Sequence, residues 1–181
     1  MMYLNYLMIL GVCLVEIENK IRVIKHEVEA NAIKIQTIVD QLVSKYNKQL
    51  DDFMDEVLLM LSHKDKLSDT EIEMITLKVP IYMYFGVSGV ENLGIQLDNA
   101  KAIKVTKFNI EYMDSEGTIN DRNANAENNI IPEALTLICY ERAYKKLRSK
   151  MDVAEQLCNS TRKVLQKRIT ELSILKNDGQ G

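Results

Sequence analysis

Glycine, proline, tryptophan and histidine are scarce in this chain. Its 181 residues include 7 Gly, 2 Pro, 2 His and no Trp. All-β sandwiches and α/β enzymes use glycine and proline to punctuate many turns, so their scarcity favours long helices. With so few histidines there is little material for a metal centre or an acid–base pair, and we expect no metal ion and no cofactor.

Motifs that carry chemistry are absent from the sequence as well. It contains no GxxxxGK[ST], GxGxxG, HExxH or GxSxG pattern. The acidic residues of the stretch 51–56 form i,i+4 pairs of like charge, which is typical of a solvated helix face. The sequence therefore predicts a protein that is not an enzyme.

The three cysteines are Cys13, Cys139 and Cys158. An odd count without a CxxC pair argues against a full disulfide framework and favours a reducing compartment, so we expect a cytoplasmic protein. Residues 1–14 are an apolar N-terminal extension, shorter than the ~20 residues that span a bilayer. A membrane role is disfavoured, and the extension is a packing segment, a weak anchor, or sequence upstream of the biological start codon.

The stretch from Val15 to Met60 has no glycine or proline, and its apolar residues recur at the helical period. A continuous helix here would be roughly 65 Å long, which exceeds the diameter of a globule of this size. The helix therefore breaks near Asn47 or forms an arm that packs on another chain. The stripe reads Ile17, Ile21, Ile24, Val28, Ala32, Ile35, Val39, Leu42, Tyr46, Leu50, Phe53, Val57, Met60.

The middle of the chain is predicted from shorter signals. Ser68 and Glu71 match a capping box before a helix that extends toward Tyr84, with Pro80 kinking or ending it. Gly86 and Gly89 then predict a turn. Residues 98–113 fit a strand or a helix, and we favour the helix. The Asn-rich residues 114–131 are interpreted as a loop or short turns, and they complete a predicted region 15–131.

A second long helix is predicted over 132–181, starting with Pro132 near its first position. Its apolar residues follow a 3-4 spacing as far as Leu175, with polar interruptions at Thr161 and Arg168. It is an ordinary core-facing helix, a coiled coil between chains, or a hairpin that turns near Asn159. The fold class is therefore all-α, with two long amphipathic helices flanking a smaller helical middle and coiled-coil self-association as one option.

Charge is strongly segregated along the chain. Residues 1–131 carry a net charge of −7 (13 Lys and Arg against 20 Asp and Glu), whereas residues 132–181 carry +4 (10 against 6). A basic helix favours polyanions such as nucleic acid, and a tyrosine at its start could stack on unpaired bases. Alternatively, the basic helix pairs with acidic helix one. The candidate nucleic-acid-binding residues are Arg142, Tyr144, Lys145, Lys146, Arg148, Lys150, Arg162, Lys163, Lys167 and Arg168.

The layout of residues 65–172 resembles a phage family. The segment EGTINDRNANAE at 116–127 gives a Gly-Thr turn before a charged stretch, and a basic helix follows from Ala143 to Arg168. This order is similar to that of phage recombination mediators of the UvsY type. The resemblance implies ring-shaped homo-oligomers that bind single-stranded DNA and help load a recombinase, so a recombinase or a single-strand-binding protein becomes an expected partner.

Two functions are thus predicted. The first is a phage-type accessory protein in recombination or replication that binds single-stranded DNA through its basic C-terminal helix. The second is a helical structural or assembly protein with no nucleic-acid role.

Overall fold

The computed structural model describes the backbone of residues 2–63 and 66–178, and the side chains of residues 22, 25–63 and 66–174. It contains four helices, α1 (Met2–His63), α2 (Asp69–Asp114), α3 (Ile119–Asn129) and α4 (Ile131–Asp178). No strand occurs among these residues, so the all-α prediction is confirmed. The favoured helix over 98–113 is correct. The chain divides into two compact units, residues 1–38 and 39–181.

Helix α1 passes through Asn47 without interruption, so the predicted break there is wrong. Asn47 is buried, and its Nδ2 donates a hydrogen bond of 2.8 Å to Asp51 Oδ1 one turn later, whereas its Oδ1 is buried without a hydrogen-bond partner among the described residues. The predicted stripe residues Ile17, Ile21 and Ile24 lie outside the residues whose side chains are described.

In the unit formed by residues 39–181, three helices pack side by side around an apolar core. The ring centroids of Phe53 of α1 and Tyr82 of α2 lie 5.4 Å apart, and Tyr46 of α1 contacts Gly89 of α2. Helices α1 and α2 therefore run in opposite directions. Thr76 of α2 approaches Thr161 of α4 at 3.2 Å, and α2 and α4 are likewise antiparallel. The most buried large side chains are Val43, Val57, Ile75, Val79, Leu93 and Leu147.

Helix α2 begins at the predicted capping box. The Ser68 hydroxyl accepts the Glu71 N–H at 3.3 Å, and the Glu71 carboxylate accepts the Ser68 N–H at 2.9 Å. The helix then continues through Pro80, so the prediction that Pro80 ends it is wrong. Proline lacks an N–H and cannot bond the carbonyl of Thr76. The Cys158 thiol of α4 approaches that carbonyl oxygen at 3.9 Å and compensates in part.

Gly86 and Gly89 lie inside α2, so the predicted turn is wrong. Both are buried where α2 meets its neighbours. A Cβ at Gly86 would lie 2.4 Å from Met151 Cε, and one at Gly89 would lie 2.4 Å from Tyr46 Cβ. The absence of a side chain at Gly89 is therefore what allows α1 and α2 to approach, and its absence at Gly86 leaves room for the end of the Met151 side chain of α4.

The predicted loop over 114–131 is also largely wrong, because residues 119–129 form α3. Gly117 adopts a φ of 112° in the connection that follows α2, a conformation that favours glycine. Thr118 and Asp121 then form a second capping box, and the Arg122 guanidinium donates to the Tyr112 carbonyl at 2.9 Å. Helix α3 is thus held against the end of α2 although it has few apolar residues of its own.

Candidate nucleic-acid interface

The basic residues of α4 are positioned by a buried stripe on the same helix. Pro132 stands in the first turn of α4, as predicted. The predicted seam of 3-4 spacing is buried from Leu147 to Thr161, which is the ordinary core-facing alternative for that part of the helix, whereas its earlier positions Leu137, Tyr140 and Tyr144 are only half-buried. A coiled coil between chains stays a prediction. The buried residues of α4 are Cys139, Ala143, Leu147, Met151, Ala154, Cys158 and Thr161.

Three of the nine predicted cations bridge helices within the chain. Lys146 donates to Asp40 of α1 at 2.5 Å, and Lys150 contacts both carboxylate oxygens of Asp51 at 2.6 Å. Arg168, whose side chain is only 16% exposed, pairs with Asp69 at the start of α2. It also donates to the Leu67 carbonyl at 2.9 Å.

These three cations form ion pairs with acidic residues of the same chain. Their charges are matched by carboxylates from α1 and α2, as the alternative of internal pairing anticipated. They are therefore less available to an outside anion than the other six.

Among the described side chains, two further cations form ion pairs only with residues of α4 itself. Lys145 lies 2.7 Å from Glu141, and Lys167 lies 3.8 Å from Glu171. The hydrogen bond from Lys145 lowers the pKa of Glu141 below its ordinary value. The two lysine side chains are 71% and 78% exposed, and such surface pairs contribute little free energy. Both ammonium groups can exchange their partner for a phosphate.

The remaining four cations, Arg142, Arg148, Arg162 and Lys163, are exposed. Among the residues whose side chains are described, none of these four has a carboxylate within ion-pair distance. Arg148 approaches the hydroxyl of Tyr144 at 3.5 Å. With Lys145 and Lys167, these four make up what we call the outer set, six cations on the solvent side of α4.

The outer set falls into two clusters along the helix. Residues 142, 145 and 148 lie within two turns of each other, and so do residues 162, 163 and 167. Arg148 and Arg162 are separated by 14 positions, which correspond to about 21 Å of helix. Asp152 and Glu155 stand in this interval and lower the local potential. The positive surface is therefore two separate clusters, a division that the net charge of the segment conceals.

Tyr144 is half-buried, because its ring lies against α2 beside Gly94. It presents its hydroxyl toward Arg148, and only part of the ring could stack on a base. Tyr140 lines a cleft of about 320 Å³ between α2 and α4, together with Gln96, Ile103 and Glu133.

The carboxylate in this cleft is paired with a lysine of α2. Lys107 donates to Glu133 at 2.5 Å, and this hydrogen bond lowers the pKa of Glu133 and raises that of Lys107. Among the described residues, no group of three or more His, Cys, Asp or Glu side chains is arranged to hold a metal ion. His63 is exposed at the end of α1, with Nδ1 2.8 Å from the Leu59 carbonyl.

The sequence did not lead us to predict an exposed apolar surface on α2. Leu77, Ile81, Tyr84 and Ile95 are all exposed, on the side of α2 that faces away from α1 and α4. The signal was present, because apolar residues occur all round this helix and two stripes can be traced through them.

Comparison of the chain with protein-family models, with curated proteins and with solved structures gives no match. Within the described part of the chain, no helix combines the length and the apolar composition needed to cross a bilayer.

Proposed function

We propose that the protein is a non-enzymatic, cytoplasmic accessory factor of phage-type recombination or replication that binds single-stranded nucleic acid through the outer set of α4. The observation that supports this proposal is the separation of the basic residues into two groups. Among the residues whose side chains are described, three cations bridge helices, whereas six are exposed and form no interhelical ion pair. A helix whose cations served only to hold the bundle together would not need the second group.

The outer set suits the phosphate backbone better than it suits base edges. Arginine and lysine on one exposed helix face neutralise phosphates without reading sequence. The half-buried Tyr144 adds at most a limited stacking surface. We therefore propose binding with little sequence preference, and the two clusters would contact two stretches of one strand or two strands.

The test is a titration of labelled oligo-dT by fluorescence anisotropy at about 50 mM salt. The variant replaces Arg142, Lys145, Arg162 and Lys163 by Gln. We expect wild-type protein to bind and this variant to lose most of its affinity while keeping its helical circular dichroism.

A matched control removes the same charge elsewhere, by replacing the lysines Lys34, Lys45, Lys48 and Lys104 of α1 and α2 with Gln. Its affinity should stay close to that of the wild type. Absence of binding by the wild-type protein, or equal losses in the variant and the control, would reject the proposal. Duplex DNA and single-stranded RNA in parallel titrations identify which nucleic acid is preferred.

The second function, a helical assembly protein without a nucleic-acid role, is favoured by a different observation. Helix α2 exposes several large apolar side chains on the side away from the core. Surfaces of this kind mark contacts with other proteins. Under this alternative a recombinase or a single-strand-binding protein is no longer an expected partner, and the outer set only confers solubility.

A further inference from the structure

Helix α2 carries an apolar seam on its outer side. Leu77, Ile81, Tyr84 and Ile95 are between 57% and 74% exposed, although they stand in the middle of a 46-residue helix. The stretch 79–90, VPIYMYFGVSGV, contains no charged residue. The solvent-facing side of a surface helix is normally rich in charged residues. The uncharged outer side of this segment is therefore typical of a surface that packs against another protein.

The seam has the spacing of a helix-pairing surface. Residues 77, 81, 84, 88, 91 and 95 follow each other at intervals of 4, 3, 4, 3 and 4, which is a heptad repeat. The core-facing residues of α2, such as Val79, Leu93 and Leu97, fall on the opposite side of the helix. The helix therefore has one apolar stripe for its own bundle and a second stripe that the chain leaves unpartnered.

The seam is complementary to itself when two copies run antiparallel. Its positions are symmetric about residue 86, so a two-fold axis at that level places Leu77 opposite Ile95 of the other copy. The same axis places Tyr84 opposite Ser88, which combines a large side chain with a small one. Self-complementarity of one patch is the condition for an isologous dimer interface.

The area is sufficient for a stable dimer. Phe85 and Val87 flank the seam and are 55% and 58% exposed. Aromatic side chains bury about 150–250 Å² each and aliphatic ones somewhat less, so these six at somewhat more than half exposure offer at most roughly 600–700 Å² per copy. Two copies would bury up to roughly 1,300 Å², within the range of specific interfaces.

We propose that the outer seam of α2 is a self-association surface on which a second copy of this chain packs with its own α2 antiparallel. The seam lies on α2 and the outer set of cations lies on α4, so the dimer would not depend on nucleic acid. This inference goes beyond the proposed function, and either can fail without the other.

The first test measures mass by sedimentation velocity over a range of concentrations. Wild-type protein should sediment as a dimer, and Ile81→Glu should weaken the dimer by at least about 100-fold, because it buries a charge at the seam. The matched control is Val105→Glu, an equally exposed apolar residue of α2 outside the seam, which should leave the dimer intact. Circular dichroism verifies that both variants are folded.

Glu91 provides a test in the opposite direction. It is the one charged residue of the seam and would lie opposite Ile81 of the other copy. Replacing it by Leu should strengthen the dimer by about tenfold, since an apolar side chain there is buried without loss of hydration. An unchanged or weaker dimer for Glu91→Leu would contradict the pairing.

Cysteine cross-linking tests the orientation. In a Cys13→Ala background, Leu77→Cys and Ile95→Cys proteins are oxidised separately and as a mixture. The antiparallel pairing predicts a disulfide-linked dimer only in the mixture, because residue 77 faces residue 95 of the other copy. Cross-linking of either variant with itself would overturn the pairing. A wild-type monomer at every concentration would overturn the self-association surface altogether.

Discussion

Gly89 of α2 and Tyr46 of α1 meet so closely that no side chain fits between them. A Cβ at residue 89 would lie 2.4 Å from Tyr46 Cβ and 2.6 Å from Cγ. Of these two atoms, Cβ is bonded directly to the backbone and moves only if α1 itself moves. Gly86 has a similar distance to Met151, but its neighbours there are Cε and Sδ, the free end of a flexible side chain.

The glycines of α2 should therefore respond differently to alanine. Gly89→Ala should lower the free energy of unfolding by about 1–3 kcal/mol through overpacking. Gly86→Ala should be nearly neutral, since Met151 can rotate and alanine gains up to about 1 kcal/mol of helix propensity. Gly94→Ala, whose Cβ would lie 3.5 Å from Tyr144, should stabilise the protein. Urea denaturation measures all three, and a smaller loss at Gly89 than at Gly86 would contradict the packing.

The ion pair between Lys150 and Asp51 should contribute modestly to stability. Its two charges are 2.6 Å apart but roughly one-third exposed, so water screens their attraction. A double-mutant cycle with Lys150→Met and Asp51→Asn should give a coupling free energy of about 0.5–1 kcal/mol. The same cycle on Lys145 and Glu141, which pair on the surface of α4 alone, is the control and should give less. A coupling free energy near zero between Lys150 and Asp51 would show that their ion pair does not stabilise the bundle.

The sequence carried enough information for the fold class but not for every element. The capping box at Ser68 and the long glycine-free stretches are local signals, and the helices they predicted exist. The neighbouring sequence could not show why Gly86 and Gly89 are glycines. A glycine occurs either where the backbone needs conformational freedom, as in a turn, or where a side chain would not fit. Which one applies here is decided by Tyr46, about 40 residues away in the sequence.

Helix α3 was missed for a different reason. Its residues are polar and Asn-rich, so they show no hydrophobic periodicity from which a helix could be predicted. Its stability comes from the cap at Thr118 and from the bond between Arg122 and Tyr112. The pattern Gly117-Thr118-x-x-Asp121 is a local signal that could have identified its start.

The candidate site could likewise be predicted only in part from the sequence. Counting charges identified the nine basic residues of α4, yet the division among them depends on tertiary contacts. Lys146 pairs with Asp40 across 106 positions of sequence, and Arg168 pairs with Asp69 across 99. No local pattern distinguishes these residues from Arg142 or Lys163.

The capping box of α3 should make this helix sensitive to acid. The hydroxyl and the backbone N–H of Thr118 donate to the Asp121 carboxylate and lower its pKa. A carboxyl with a lowered pKa stabilises the fold above its unfolded value of about 4, and this contribution is lost as pH falls through the folded value. Amide chemical shifts of residues 119–129 should therefore show α3 loosening at low pH.

Asp121→Asn separates this effect from general acid unfolding. The asparagine carbonyl still accepts a hydrogen bond but does not titrate, so the local acid transition should disappear in this variant. Asp98→Asn, at an exposed position in an ion pair with Lys101, should keep the wild-type transition. A transition that survives Asp121→Asn would assign the acid sensitivity to another group.

The salt dependence of DNA binding should report how many cations of the outer set touch phosphates. Each phosphate neutralised on a single strand contributes about −0.7 to the slope of log K against log salt, so six contacts predict a slope of about −4. Replacing Arg142, Lys145, Arg162 and Lys163 by Gln leaves Arg148 and Lys167, and the slope should fall to about −1.4.

The interhelical cations give the contrasting case. Replacing Lys146 and Lys150 by Gln should lower thermal stability while leaving the slope near its wild-type value, because Asp40 and Asp51 already neutralise them. If these two replacements change the slope as much as two replacements in the outer set, the internal ion pairs open on binding. The whole basic face of α4 would then contact the strand, and the division between the two groups of cations would hold only for the free protein.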